Sequence, residues 1–236
     1  MRCVRCFLVI LLLLLVVNGE EEVLAMNTGF STEILPDEAK NTFLTNVNIS
    51  MLANEPPKRA IECFDVNEEG MIAIGHKASD YKILCIYTHD GAFQYGYKFN
   101  CSGSFGVEWD GNNINIYFAR SDVIVAVNTI GEIMDVRKVQ NTIDNNSYRN
   151  HFIFSNERIV DDTEYTIRND MGVFNLFASS YSQLVASKST GETNVLYDAN
   201  LTQYMNTLAL FIVVLIFVTF VVFGIIWQFI KLKRNV

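Results

Sequence analysis

Between Arg59 and Ala199 the apolar positions come in short alternating runs broken by polar turns, the pattern of strands rather than helices. Three stretches share one length: Tyr81 to Phe99 (YKILCIYTHDGAFQYGYKF), Ser121 to Val139 (SDVIVAVNTIGEIMDVRKV) and Tyr181 to Ala199 (YSQLVASKSTGETNVLYDA). Each carries glycine at its eleventh position, Gly91, Gly131 and Gly191, where a hairpin turn calls for positive φ. These glycines stand 40 and then 60 residues apart, and a period of 40 residues points to a repeated β-unit.

Read strand by strand, Arg59–Val66, Met71–Gly75, Lys82–Tyr87 and Ala92–Phe99 predict one up-down sheet, joined through Asn67–Gly70, His76–Asp80 and Thr88–Gly91. Phe105–Trp109, Ile114–Phe118, Val123–Val127 and Glu132–Val139 predict a second. The third is weaker: His151–Phe154, Glu164–Arg168, Val173–Ala178, Ser182–Ala186 and Thr193–Tyr197. The polar stretch Gln140–Asn150 is expected to hold most of the extra residues of the longer third period. A fan of three such sheets leaves two open edges, and open edges pair. Dimerisation into a closed ring, a cover from the preceding linker, or an open stack each meets that need. A smaller sandwich or meander is the alternative.

The two ends differ from this middle. Arg2 and Arg5 precede an unbroken apolar run, Cys6–Val17, and Val17-Asn18-Gly19 offers a cleavage site, so residues 1–19 read as a signal peptide. An uncleaved anchor is the alternative, since the run extends back to Val4. Residues 20–58 read as a linker or stalk able to lend a strand to the domain, with a short helix over Pro36–Leu44 and a boundary at Pro56-Pro57. Residues 59–200 are expected to form the extracellular β-repeat domain. From Leu208 to Ile230 no charge occurs, and at about 1.5 Å per residue this run crosses a hydrocarbon core of about 30 Å. The expected transmembrane helix is 207–230, with Tyr204 and Trp227 near its ends, and 231–236 is a cytoplasmic tail. Lys231, Lys233 and Arg234 place that end inside, in agreement with the leader, so the bulk of the chain is expected outside a cell membrane crossed once.

All 26 acidic residues lie between the two apolar segments, against 13 of the 18 basic ones, a formal −13 for the middle region. That balance argues against nucleic acid as a partner, because phosphate binding needs a basic face. Cys3 and Cys6 belong to the leader. Cys63 and Cys85 sit in apolar strand patterns as core residues; the three cysteines are an odd set that does not build a disulfide scaffold, and a single bridge from Cys101, in a polar turn, to one of the other two is the alternative. His76, His89 and His151 lack the spacing of a metal site, and His76 and His89 are expected in exposed turns. Glu68-Glu69 and Asp161-Asp162 are outside any calcium-loop pattern, and Asp90 is turn chemistry. Neither a nucleophile elbow nor a phosphate loop occurs. No catalytic, cofactor or metal residue is therefore assigned. Asn48, Asn100, Asn145 and Asn200 head N-x-S/T triplets and are glycan candidates.

The runs ECFDVNEEGMIAIG and YKILCIYTHDGAFQYGYKF, with the matching second unit, resemble β-propeller repeats of the six-bladed type. They are similar to those of small membrane-anchored proteins of Gram-positive bacteria. The resemblance covers Arg59 to Ala199 and implies an all-β fold of about three propeller-like blades, to which the apolar run adds the one C-terminal transmembrane helix. It transfers no catalytic set. The expected function is a surface-anchored binding or interaction module with a protein partner or a second copy of itself. The alternatives are a hydrolase or lyase on a propeller scaffold, and an accessory subunit of a membrane complex.

Overall fold

Every strand of the computed structural model, which describes residues 26–78, 80–177 and 180–234, is antiparallel to its neighbours. The leader expected at 1–19 lies outside the described residues. The first sheet is a meander of β3 (Ile61–Val66), β4 (Ile72–Lys77), β5 (Lys82–Tyr87) and β6 (Phe93–Phe99). The second follows the same plan with β7 (Phe105–Asp110), β8 (Asn113–Phe118), β9 (Val123–Val127) and β10 (Ile133–Val139). The third is built of β11 (Glu157–Val160), β12 (Thr163–Arg168), β13 (Gln183–Lys188) and β14 (Thr193–Asp198). A long helix, α3 (Asn200–Arg234), ends the described chain.

The three glycine hairpins have one geometry. Gly91, Gly131 and Gly191 have φ of 83°, 86° and 90°, and each donates its N–H to the carbonyl three residues back, Thr88, Asn128 and Lys188. This is a tight turn closed by a left-handed residue, and the ladder shifts register beside it in the first two sheets and between Leu184 and Val185, further along, in the third.

The described part of the segment read as a linker, residues 26–58, is folded onto the sheets. Strand β1 (Thr32–Ile34) adds to the outer edge of β10, helix α1 (Asp37–Val47) follows, and strand β2 (Ser50–Leu52) adds to the outer edge of β6. The first and second sheets therefore have five strands each and the third has four. β14 ends its sheet with no further strand paired to it among the described residues.

The first sheet lies between the other two. One face packs Leu84, Ile86, Tyr97 and Phe99 against Phe105, Ile116 and Val125 of the second sheet, with Phe43 and Val47 of α1 closing the margin. Its other face packs Phe64, Ile74, Ile83 and Tyr87 against Tyr165, Ile167, Leu184 and Tyr197 of the third. Burial on both faces explains why β4 and β5 read as nearly continuous apolar runs. The third sheet is covered on one face only, and the six residues of β12 show clear in-out alternation.

Two expected strands are helical turns. His151–Phe154 falls in a short helix α2 (Ile143–Tyr148) running into a π-turn (Arg149–Ile153), started by the Thr142 hydroxyl accepting the Asn145 N–H. Of Val173–Ala178, residues 173–177 fall in a 3-10 segment (Gly172–Phe177) within the connection from β12 to β13, and Ala178 lies outside the described residues. The extra length of the third unit is therefore divided. The connection between second and third strands takes four residues in the first two sheets, 78–81 and 119–122, and 14 in the third, 169–182.

Candidate functional site

The first strands β3 and β7 pack on each other, β11 packs on β3, and each of the three carries one buried charge: Asp65, Glu108 and Arg158. Asp65 accepts the Trp109 N–H at 2.8 Å and the Arg158 Nε–H at 2.6 Å. Arg158 also donates to the carbonyls of Phe152 (2.7 Å) and Glu157 (2.9 Å), and its guanidinium lies 4.3 Å over the Phe152 ring. One carboxylate thus joins strands from all three sheets. A buried pair with further bonds to backbone carbonyls is suited to holding geometry, since a free charge there carries a large desolvation cost.

Glu108 forms a second buried node. It accepts the Tyr148 hydroxyl at 2.6 Å, the Thr28 hydroxyl at 2.7 Å and the Gly29 N–H at 3.0 Å. Burial pushes its carboxyl above the usual range, and the three donors pull it back. Beside it Asn115, fully buried, donates to the Asn27 carbonyl at 2.8 Å. Together these groups fasten residues 27–29 to the second sheet.

A cleft of about 330 Å³ opens between α1 and the link from the first sheet to the second, lined by Phe43, Asn46, Asn100, Cys101, Phe118 and Arg120. Its volume is at the small end for a ligand pocket. Cys101 is half-buried, and burial pushes its thiol up, away from the reactive thiolate. Cys63, Cys85 and Cys101 are all free, the first two buried as expected of core residues.

Lys82, buried in β5, forms one further ion pair with Glu62 of β3 at 2.6 Å, and the histidines and turn carboxylates are dispersed. His76, expected in an exposed turn, is a buried residue of β4, because the strand runs two residues further and pairs it with Ile61 and Ile83. His89 is in the β5–β6 turn, and His151, in the π-turn, bonds the Ser147 carbonyl at 2.9 Å through Nδ1. Glu68-Glu69 and Asp161-Asp162 occupy separate hairpin turns, and Asp90 accepts the Thr88 hydroxyl within its own turn. Among the described residues no three His, Cys, Asp or Glu side chains converge as a metal site. Asn145, a glycan candidate by triplet, is buried, with its amide bonded to Ser31 and Gln140, so its side chain is committed to the fold.

Asp65, Glu108 and Arg158 escaped the sequence reading. Their one signal is a charge inside an apolar first strand, in IECFDV, FGVEWD and ERIV. Comparison with protein-family models and with curated proteins finds no match for this chain.

The surfaces that remain are the third sheet and the helix. β14 exposes Thr193, Asn194 and Val195 at an unpaired edge, and β11 exposes Ile159. α3 is long and apolar enough over Asn200–Trp227 to cross a membrane.

Proposed function

We propose that this protein is a single-pass membrane protein whose β-domain is a binding module on the extracytoplasmic side, taking a segment of a protein partner at the edge of β14. The three sheets are read as blade-like units of an open, propeller-like array, the kind resembled by small anchored proteins of Gram-positive bacteria. The observation that carries the reading is an asymmetry. The outer strands β6 and β10 each receive a fifth strand from the N-terminal segment, whereas β14 receives none among the described residues. An unpaired strand edge is a template for strand addition, by a different protein or by a second copy. The anchor is α3, and Lys231, Lys233 and Arg234 after it favour a cytoplasmic tail.

The test places a photo-crosslinking residue at Asn194 in the full chain in its own membrane, with the exposed Glu69 of a first-sheet turn as the control position. The expected result is an adduct of defined mass from position 194 and none from 69. A mass equal to two chains identifies self-association, and any other mass identifies a different partner. Equal, non-specific labelling at both positions, or none at either, contradicts the reading.

A further inference from the structure

The 14-residue connection 169–182 sits at the end of the third sheet from which the membrane helix departs, since Arg168, Gln183 and Asp198 are cross-strand neighbours there. The first and second sheets have only four residues at the equivalent place. Within this insertion Val173 is 77% exposed and Leu176 is 88% exposed. Met171 turns inward: it is buried, its N–H bonded to the Asn175 amide oxygen at 2.8 Å. From Met171 to Ser187 the chain carries no charge. Apolar side chains held outward at the tip of an insertion mark a contact surface.

The position of the insertion selects the occupant. The 3-10 segment Gly172–Phe177 packs against α3, and the Gln203 amide donates to the Ser180 carbonyl at 2.8 Å. The Ser182 hydroxyl donates to the Asn200 amide oxygen, and the Ala199 N–H to the Ser182 carbonyl at 2.8 Å, so the helix leaves the sheet in a fixed direction. Asn200, Gln203, Thr207 and Leu208 are the covered positions of its first turns, one helix face. The chain is uncharged from Asn200 to Ile230, which at 1.5 Å per residue is about 46 Å, more than the roughly 30 Å hydrocarbon core and close to the full bilayer with its headgroup layers. The first turns of α3 therefore belong in the headgroup layer, and the insertion packed beside them is at the same depth.

We infer that residues 172–177 enter the outer headgroup and upper acyl layer beside the membrane helix, giving the β-domain a second lipid contact that fixes its orientation on the bilayer. A single helix alone lets the domain tilt with it relative to the bilayer. A second contact beside the helix resists that tilt and holds the edge of β14 at a constant height above the lipid. The inference rests on α3 spanning the membrane, and the experiment separates the two ideas.

Leu176→Cys, Phe217→Cys and Ile143→Cys are made singly in a full chain whose Cys3, Cys6 and Cys101 are serine. Each is labelled with an environment-sensitive nitrobenzoxadiazole probe and reconstituted in phosphatidylcholine vesicles with nitroxide lipids of shallow or deep placement. The expected result is loss of fluorescence at 176 to the shallow nitroxide, loss at 217 to the deep one, and none at 143, an 87% exposed residue at the start of α2. Quenching at 217 with none at 176 overturns the inference and leaves the anchor standing. No quenching at 217 overturns both.

Discussion

Asp65→Ala is expected to destabilise the protein by about 3–5 kcal/mol, the cost of leaving a buried guanidinium without its counter-charge. The side chains of Asp65 and Arg158 are 5% and 7% exposed, so water cannot replace the lost partner. The Trp109 N–H loses its acceptor in the same step, and with it the tie between β3 and β7. Thermal unfolding of the full chain in detergent should show the midpoint falling by about 6–20 °C, at about 2–4 °C per kcal/mol for a chain of this size. The double replacement Asp65→Leu with Arg158→Met should cost less than Asp65→Ala alone, because no unpaired charge remains. A midpoint for Asp65→Ala within about 2 °C of the parent would show that the node carries less than about 1 kcal/mol.

The second large effect is a dependence on pH set by His76. Its ring is buried against Tyr197, centroids 5.2 Å apart, and Nδ1–H points to the Ala60 carbonyl at 3.4 Å while Nε2 has no partner. Burial lowers its pKa from 6.5 to about 4, and the nearby Arg59 pushes the same way against the Ala60 bond. Between those values the unfolded chain binds a proton that the folded chain refuses. The contribution of His76 is therefore whole above pH 6.5 and is lost as pH falls toward 4, a loss of roughly 3 kcal/mol. His76→Phe keeps a ring against Tyr197 and removes the titration. The stability difference between parent and variant should change by that amount across the window. A difference that stays constant from pH 7 to 4 would mean the histidine is protonated inside the fold. Taking the difference also cancels Glu108, whose raised pKa works in the opposite sense, its contribution declining as pH rises above the ordinary carboxylate range.

The meanders of the first two sheets were legible because their strands alternate over turns that demand glycine. β5 and β9 fall on the residues expected from pattern alone, Lys82–Tyr87 and Val123–Val127. The third sheet was less so, for local reasons. HFIF and VFNLFA are apolar without a period, and short apolar runs of that kind do not separate strand from helix. The hydroxyl of Thr142 and the packing of the 3-10 segment on α3 decide those two in favour of helical turns. β11 was missed because Glu157 and Arg158 break its pattern, and Arg158 is turned inward to a partner 93 residues away. Strands β1 and β2, three residues each, have no signal of their own and exist through pairing with β10 and β6. The buried node was visible only as misplaced charges, since nothing local tells Asp65 that Arg158 is its partner.

The proposed binding surface has meaning only if the β-domain and the tail lie on opposite sides of a membrane, with the domain outside. The direct measurement is labelling of intact cells with a membrane-impermeant maleimide, in full chains whose Cys3, Cys6 and Cys101 are serine, carrying either Ile143→Cys in the β-domain or Lys231→Cys after the apolar run. The account predicts that position 143 is labelled on intact cells and that position 231 is labelled only after the membrane is permeabilised. Labelling at 231 with 143 protected would put the β-domain in the cytoplasm, and equal labelling of both on intact cells would mean that α3 does not span; either result contradicts the account.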